Sequence, residues 1–299
     1  MADIFPHILN VIVPDGSGET IAPQIRAAVA AQGAAGEIVW LSHGHAFDIA
    51  FLCDTVAVKR AALAAVAGAA CDINVVAAAR RRKKLLVADM DSTITTCECL
   101  DELADMAGLK PQIAAITERA MRGEIEFEAA LRERVAMLKG LPLDALEHAY
   151  AERVRLNPGA KALVSTMKAH GAHTMLVSGG FTYFTRRVAA EAGFDDAQAN
   201  TLLDDGTALT GEVREPILGR EAKLAVLEAE VARLGIDFSD ALCVGDGAND
   251  LDMIRRAGLG VAYHAKPVVA EAAGANIAHG DLRALLYLQG YTDDEIVDA

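Results

Sequence analysis

The sequence predicts an α/β protein: a doubly wound parallel sheet carrying a small helical cap, preceded by a separate βαββαβ unit. Three observations predict this. The first 80 residues place their apolar stretches in the order strand, helix, strand, strand, helix, strand. Beyond residue 84, the strand-like stretches 85–88, 173–177 and 241–244, apolar throughout except at His173 and Thr174, alternate with helical stretches, and each ends in acidic or small polar residues. Continuous apolar runs suit strands covered on both faces, and their alternation with helices implies a parallel sheet. Finally, residues 98–156 carry no strand signal, so a helical insert follows the first of these strands.

Bulk composition narrows the function. Apolar residues make up 53% of 299, enough to fill sizeable cores, so disorder is excluded as the main state. Lys and Arg number 28 against 42 Asp and Glu, a net charge of −14. That excludes nucleic acid, whose phosphates demand a basic face. It also means that any phosphate site must be neutralised locally. Five cysteines in no regular framework suggest reduced thiols and a cytoplasmic location. Cys97 and Cys99 form C-x-C without the second pair a zinc site needs. The N-terminus has neither a basic region nor an apolar core, so no signal peptide is read. The alanine-rich stretch 61–79 is broken by Asp72 and Asn74, so it is not a membrane span.

In order along the chain, residues 8–13 read as a strand, with turn chemistry at Pro14-Asp15-Gly16-Ser17-Gly18. Ile21, Ile25 and Val29 recur at helical spacing within 19–32. Two strands, 37–41 and 46–52, flank a turn holding His43 and His45, which is read as solvated. A helix over 55–67 and a strand over 73–76 complete a split βαβ, ferredoxin-like order. Residues 7–79 resemble the ACT domain in order and length, which implies a regulatory or dimerisation role with serine as effector. The usual Asp-x-Pro-Gly turn is replaced by Pro14-Asp15-Gly16. The basic run Arg80-Arg81-Arg82-Lys83-Lys84 is read as a solvated linker between domains 1–80 and 81–299, across which few apolar contacts are expected. A chain starting near Arg81 is therefore expected to fold and work alone.

In the second domain, Asp89 and Asp91 follow the strand 85–88, and alternate positions of an extended segment face one way. Leu100, Leu103 and Ala107, then Ile113 and Ile116, then Phe127, Leu131, Val135 and Leu138 mark three or four helices of the insert, placed to act as a lid. A helix over 160–171 leads to the strand 173–177 and Ser178-Gly179-Gly180, which opens the next helix. Residues 198–203 and 208–213 read as a hairpin about Asp204-Asp205-Gly206. A helix over 221–234 carries Lys223, and the strand 241–244 ends at Gly245-Asp246-Gly247-Ala248-Asn249-Asp250. Short edge strands close the sheet near 261–263 and 276–278.

Three polar strand ends on one doubly wound sheet converge on one crevice. Ser178, Gly179 and Gly180 offer a hydroxyl and backbone amides to an anion. Lys223 supplies a cation for the same anion. Asp246 and Asp250 add oxygen ligands for a hard cation, most simply Mg²⁺. An acid pair, an anion cradle, a lysine and a cation together suit phosphoryl transfer to an aspartate. Asp89 is the expected nucleophile, and Asp91 the acid that protonates the leaving oxygen and then the base that activates water.

These motifs resemble the haloacid dehalogenase superfamily and, within it, the phosphoserine phosphatases, over residues 84–290. The resemblance rests on Asp89-Met90-Asp91-Ser92-Thr93, Glu98, the segment 127–134, Ser178-Gly179-Gly180-Phe181, Lys223 and the run 245–250. It implies Mg²⁺-dependent hydrolysis of O-phosphoserine in serine biosynthesis. It implies that Asp89, the backbone carbonyl of Asp91, and Asp246 hold the metal. Glu98 would meet the substrate ammonium and Arg134 its carboxylate. Ser178, Gly179, Lys223 and Asn249 would hold the phosphate, with Gly180 and Asp250 immediately behind. Met121 and Phe127 would line the cap side. Met90 stands where the family usually carries Phe.

Three other readings compete. A receiver-type signalling domain shares the aspartate, Mg²⁺, hydroxyl and lysine, but needs neither a second acid two residues on nor a lid. A phosphotransferase of the same fold would pass the phosphoryl group to an alcohol. An amino-acid sensor with a dead catalytic half is disfavoured by the intact acid pair.

Overall fold

The structure is a computed structural model that describes residues 5–121 and 124–298. Strands β1 (His7–Ile12), β2 (Ala34–Ser42), β3 (Ala46–Leu52) and β4 (Asp72–Ala77) form an antiparallel sheet in the order β2-β3-β1-β4. Helices α1 (Gly18–Ala30) and α2 (Thr55–Ala65) pack together, and Ile21, Ile25, Val29 and Val58 meet Leu9, Val11, Phe47, Ile49 and Phe51 of the strands in one core. Side chains alternate across a strand, so the residues between these point to the opposite face. There Asn10 stands opposite Asp48 on one side and Asn74 on the other, making a buried polar row across three strands.

The second sheet has six parallel strands in the order β12-β11-β10-β5-β6-β7. In chain order they are β5 (Leu85–Asp89), β6 (His173–Phe181), β7 (Asp196–Asn200), β10 (Ala241–Gly245), β11 (Leu259–Tyr263) and β12 (Ala275–Ile277). The short hairpin β8 (Leu202–Asp204) and β9 (Leu209–Val213) stands apart from it. From β5 the chain winds outward through β6 and β7, then returns to β10 on the other side. The strand order therefore switches between β5 and β10, where open α/β sheets bind ligands. Leu86 and Ala88 of β5 enter one core, Leu85 and Val87 the other, as a doubly covered strand requires.

Helices α3 (Cys99–Met106), α4 (Lys110–Met121), α5 (Phe127–Ala136) and α6 (Asp144–Arg153) form the insert. The sheet is flanked by α7 (Ala160–Ala169), α8 (Thr182–Ala192), α9 (Arg220–Leu234), α10 (Leu251–Arg256), α11 (Pro267–Ala272) and α12 (Ala284–Leu288).

Three sequence expectations are corrected. Residues 198–200 do not belong to a hairpin: they are part of β7, which pairs parallel to β6, and only Leu202–Asp204 pairs with β9. Burial on the main sheet outweighs the nearby turn signal. The basic run is not a solvated linker either. The Arg81 side chain is 14% exposed, and its guanidinium forks onto the Asp48 carboxylate while Nε donates to the Leu288 carbonyl at 2.8 Å. The Lys83 ammonium is spent on the carbonyls of Arg80 and Ser239. The expectation of few apolar contacts across this boundary falls with it. Ile12, Leu41, Ala46 and Val76 belong to the same core as Leu285, Leu286 and Tyr287. The polar row is covered in the same way. Asn10 donates to the Tyr287 carbonyl at 3.1 Å, and Asn74 makes a reciprocal pair with the backbone of Asn276. Asp72 accepts from the amides of Ala278, His279 and Gly280.

Candidate active site

The site is built where β5, β6 and β10 end. Asp89 closes β5 and is 5% exposed. The chain then makes a single wide turn over Met90–Ile94, locked by the Thr95 amide donating to the Met90 carbonyl at 2.9 Å. Within that turn Ser92 has φ 57°, a left-handed conformation that a non-glycine residue adopts only under constraint. Asp89 and Asp91, both in extended backbone before Ser92, meet different partners.

Asp89 Oδ1 accepts from the Met90 amide at 2.8 Å and pairs with Lys223 Nζ at 2.6 Å. Asp91 has partners of its own: Oδ2 accepts from Ser178 Oγ and Oδ1 from the Cys99 amide, each at 2.9 Å. Ser178 Oγ accepts in turn from the Gly180 amide at 2.8 Å. A Cβ at Gly180 would stand 3.0 Å from both Asp91 Oδ2 and Ser178 Oγ, so glycine keeps this corner open. A Cβ at Gly245 would lie 2.3 Å from the Asp250 carboxyl carbon, which requires glycine there too.

Lys223, 3% exposed, bridges Asp89 and Asp250 at 2.6 Å each, and the Gly247 amide holds the other oxygen of Asp250 at 3.0 Å. Asp246 is half-buried, with Thr93 Oγ1 donating to it at 3.4 Å. Oxygens of Asp89, Asp246 and Asp250 lie within 4.8 Å of one another. Three carboxylates against one lysine leave excess negative charge in a sparsely solvated place, and a hard divalent cation fits that donor set. The electrostatics agree. Burial, then the Asp250 carboxylate, pushes Asp89 up against the pull of Lys223. Burial and Asp250 likewise raise Asp246. For Lys223 burial pulls down, but Asp250 and Asp89 together outweigh it and the net direction is up. The lysine therefore stays charged.

The cap closes over the cradle. Phe127, the first residue of α5, lies over both Gly179 and Gly219: a Cβ on either glycine would meet its ring at 3.5 and 3.6 Å. Glu98 leads into α3 and Arg134 sits in the last turn of α5. Arg134 is held by its Nε bond to the Ala130 carbonyl at 3.3 Å. Burial lowers its pKa, while Asp101 and then Glu98 raise it. Glu98 keeps an exposed edge and accepts from Ser92 Oγ at 2.8 Å. Crowding by protein, then the Asp91 carboxylate, pushes its pKa up to about 7. Asn249 is half-buried, its Oδ1 placed where a Cβ on Gly247 would collide at 2.3 Å. Met121 ends α4, but its side chain lies outside the described residues.

The Glu98 shift has a testable sign. A carboxyl that titrates near 7 loses its charge as pH falls through 7. A cationic substrate group should therefore bind more weakly below that pH, and KM should rise while the Glu98→Gln variant shows a flat profile. The same shift makes the ionised Glu98 unfavourable to folding, because the folded state holds a proton that the unfolded chain has already lost. Its contribution to stability is therefore present at low pH and lost as pH rises through 7. A KM profile identical in wild type and Glu98→Gln would remove Glu98 from substrate binding.

Three contributors were not read from the sequence. The Cys99 amide aims Asp91, but a backbone donor leaves no residue-type signature. Thr93 reaches Asp246 only because the turn brings it round. Asn200, assigned to a hairpin, in fact donates to the carbonyls of Gly179 and Leu218 and accepts from the Leu218 amide. A polar residue directly after the apolar Ala199 at a strand end was its only mark.

The comparisons with known proteins bear on the same residues. A family model for haloacid dehalogenase-like hydrolases matches residues 86–255. A phosphoserine phosphatase from Polaromonas is 49% identical over 210 residues, covering 69% of this chain and 89% of that protein. Among solved structures, a hydrolase of the same family from Salmonella enterica serovar Typhi superposes with a TM-score of 0.85 at 30% identity, covering 94% of this chain and 97% of the other. A probable phosphoserine phosphatase from Vibrio cholerae gives 0.78 at 29% identity, covering 97% and 87%. Both structural likenesses take in the N-terminal sheet.

Proposed function

The chain belongs to the haloacid dehalogenase-like hydrolases, on the phosphoserine phosphatase branch, and we propose that it hydrolyses O-phospho-L-serine to serine and phosphate through an aspartyl-phosphate on Asp89. The observation that carries this is the division of work between two carboxylates two residues apart. Asp89 is buried against a charged lysine, while Asp91 faces the hydroxyl cradle and the base of the cap.

In this reading Ser178 Oγ, the Gly179 amide, Lys223 and Asn249 take the phosphate oxygens. The Met90 amide and Lys223 hold Asp89 Oδ1, and in this reading Oδ2 is the atom that attacks phosphorus. Asp91 gives its proton to the departing serine oxygen, then takes one from the water that cleaves the acyl phosphate. Mg²⁺ held by Asp89, the Asp91 carbonyl and Asp246 would offset the repulsion between carboxylate and phosphate. Glu98 and Arg134, one anion and one guanidinium on the cap, select a zwitterion. Phe127 excludes water over Gly179. The N-terminal unit is assigned a regulatory role, with serine as effector and a homodimer as the assembly. Among the described residues no helix is long and apolar enough to cross a membrane, and the proposed setting is cytoplasmic.

The deciding experiment is continuous phosphate release from a panel of phosphomonoesters with and without Mg²⁺. Phosphoserine should be preferred and Mg²⁺ required. Release of a single equivalent would favour a phosphorylated signalling protein, and transfer to added alcohols a phosphotransferase. A sharper test of the cap is Arg134→Ala. It should lower kcat/KM for phosphoserine by about tenfold to a hundredfold, and kcat should fall with it, because remote binding energy is used in the transition state. An alkyl phosphate lacking the carboxylate should be little affected. Equal losses on both substrates would mean that Arg134 acts on the phosphate or on folding.

A further inference from the structure

We propose that Asn200 is a positioning residue that sets the width of the phosphate cradle, and this rests on the phosphomonoester reading above. Two segments must hold the same anion from opposite sides. One is the Ser178-Gly179-Gly180 turn at the end of β6. The other is the start of α9, entered through Leu218 and Gly219 and carrying Lys223. Neither segment is tied to the other by a strand ladder.

Asn200, 3% exposed, ties them. Its Nδ2 donates to the Gly179 carbonyl at 2.9 Å and to the Leu218 carbonyl at 3.2 Å, while its Oδ1 accepts from the Leu218 amide at 2.7 Å. One planar amide thus joins the cradle to the residue that precedes the helix N-cap Gly219. Both of its donor hydrogens are used, and no isosteric apolar group could do this. The carbonyl it holds lies in one peptide plane with the Gly180 amide, which donates to Ser178 Oγ, so the clamp fixes the turn that aims this hydroxyl. The Phe127 ring rests on Gly179 and Gly219, the two glycines that flank this link, so the cap reads the same spacing.

Preorganised donors act on the transition state, where misplacement by a fraction of an ångström is felt most. The effect of removing the clamp should therefore appear in kcat and in the affinity for a pentavalent phosphate analogue, more than in ground-state binding. Asn200→Ala and the milder Asn200→Ser are measured beside wild type for kcat, KM and inhibition by orthovanadate. Ile25→Ala, in the core of the N-terminal sheet, serves as a destabilised control remote from the site. Asn200→Ala should lower kcat by about tenfold to a hundredfold and weaken vanadate inhibition by a similar factor, with KM changed less than about threefold. Asn200→Ser should fall between, and remains informative if the alanine variant does not fold. Asn200→Asp should be worse than alanine, because a carboxylate would face two carbonyl oxygens. Ile25→Ala should lose thermal stability and keep both kcat and vanadate affinity. Wild-type kcat and vanadate affinity in a folded Asn200→Ser or Asn200→Ala variant would overturn the proposal. So would the same kinetic loss in the Ile25 control. Failure of wild type itself to release phosphate from any monoester would instead overturn the functional reading on which this rests.

Discussion

Asp89→Asn is expected to lower turnover by about 10⁴-fold or more, the scale on which a nucleophile is lost when it acts as a unit with its partners. The amide keeps the shape of the carboxylate, so the Met90 contact survives. It cannot form the acyl phosphate, and it is a poor ligand for a hard cation. It also removes one of the two carboxylates that hold Lys223. Asp91→Asn separates the roles. Its loss should be roughly a hundredfold or more, felt in both formation and breakdown of the intermediate, because it removes proton transfer and not the bond-forming atom. Quenched-flow measurement of protein-bound phosphate distinguishes them: none on Asp89→Asn, and slow appearance and slow decay on Asp91→Asn. Turnover at the wild-type rate by Asp89→Asn would remove the covalent mechanism.

The second large effect concerns the join between the two sheets. Asp48→Ala is expected to destabilise the protein by about 3–5 kcal/mol, because it takes the carboxylate partner from a mostly buried Arg81 guanidinium and leaves it the Leu288 and Tyr287 carbonyls. Denaturant titration of wild type and Asp48→Ala checks this; a change below about 1 kcal/mol would mean the pair is replaceable by water. A chain starting at Arg81, expected from the sequence to stand alone, is now expected to do so poorly. Its loss uncovers Leu285, Leu286 and Tyr287, and deprives the amides of 278–280 of the carboxylate that caps them. Sedimentation and phosphate release by that truncated chain would decide. A monodisperse, fully active product would show that the join is dispensable.

The part of the fold that was legible is the part written in local pattern. The stretches 85–88, 175–177 and 241–244 are apolar on both faces, which is the mark of a buried parallel strand, and each meets its acidic or glycine-rich end within two residues. The acid pair, Ser178 and Asp246 stand out because three polar strand ends converge on one crevice, and Lys223 as the cation that an anion bound there needs; each alone would read as ordinary turn or surface chemistry. What was not legible depends on long-range pairing. Residues 80–84 read as a solvated charge run because nothing nearby in sequence reveals Asp48, the Leu288 carbonyl or Ser239 as partners. Asn200 was absorbed into a hairpin because its strand is an edge strand of five residues beside strong turn chemistry. Backbone donors such as the Cys99 amide carry no signature in any sequence.

The polar row on the first sheet has a consequence for how the molecule is made. Asn10 finds its carbonyl partner 277 residues further on, and Asn74 finds its own 202 residues on. At the usual pace of ribosomal synthesis, about 5–20 residues per second, the N-terminal sheet waits roughly 10–40 s before the segments that cover its open face exist. During that interval its helix-covered side is complete while Asn10, Asp48, Asp72 and Asn74 remain in water, where polar side chains are at no disadvantage. An apolar face in the same place would be a sticky surface on a nascent chain. With amides and carboxylates set among Ile12, Leu41, Ala46 and Val76, the face is less adhesive than a wholly apolar one until Asn276, the amides of 278–280 and the Tyr287 carbonyl arrive to claim its polar groups.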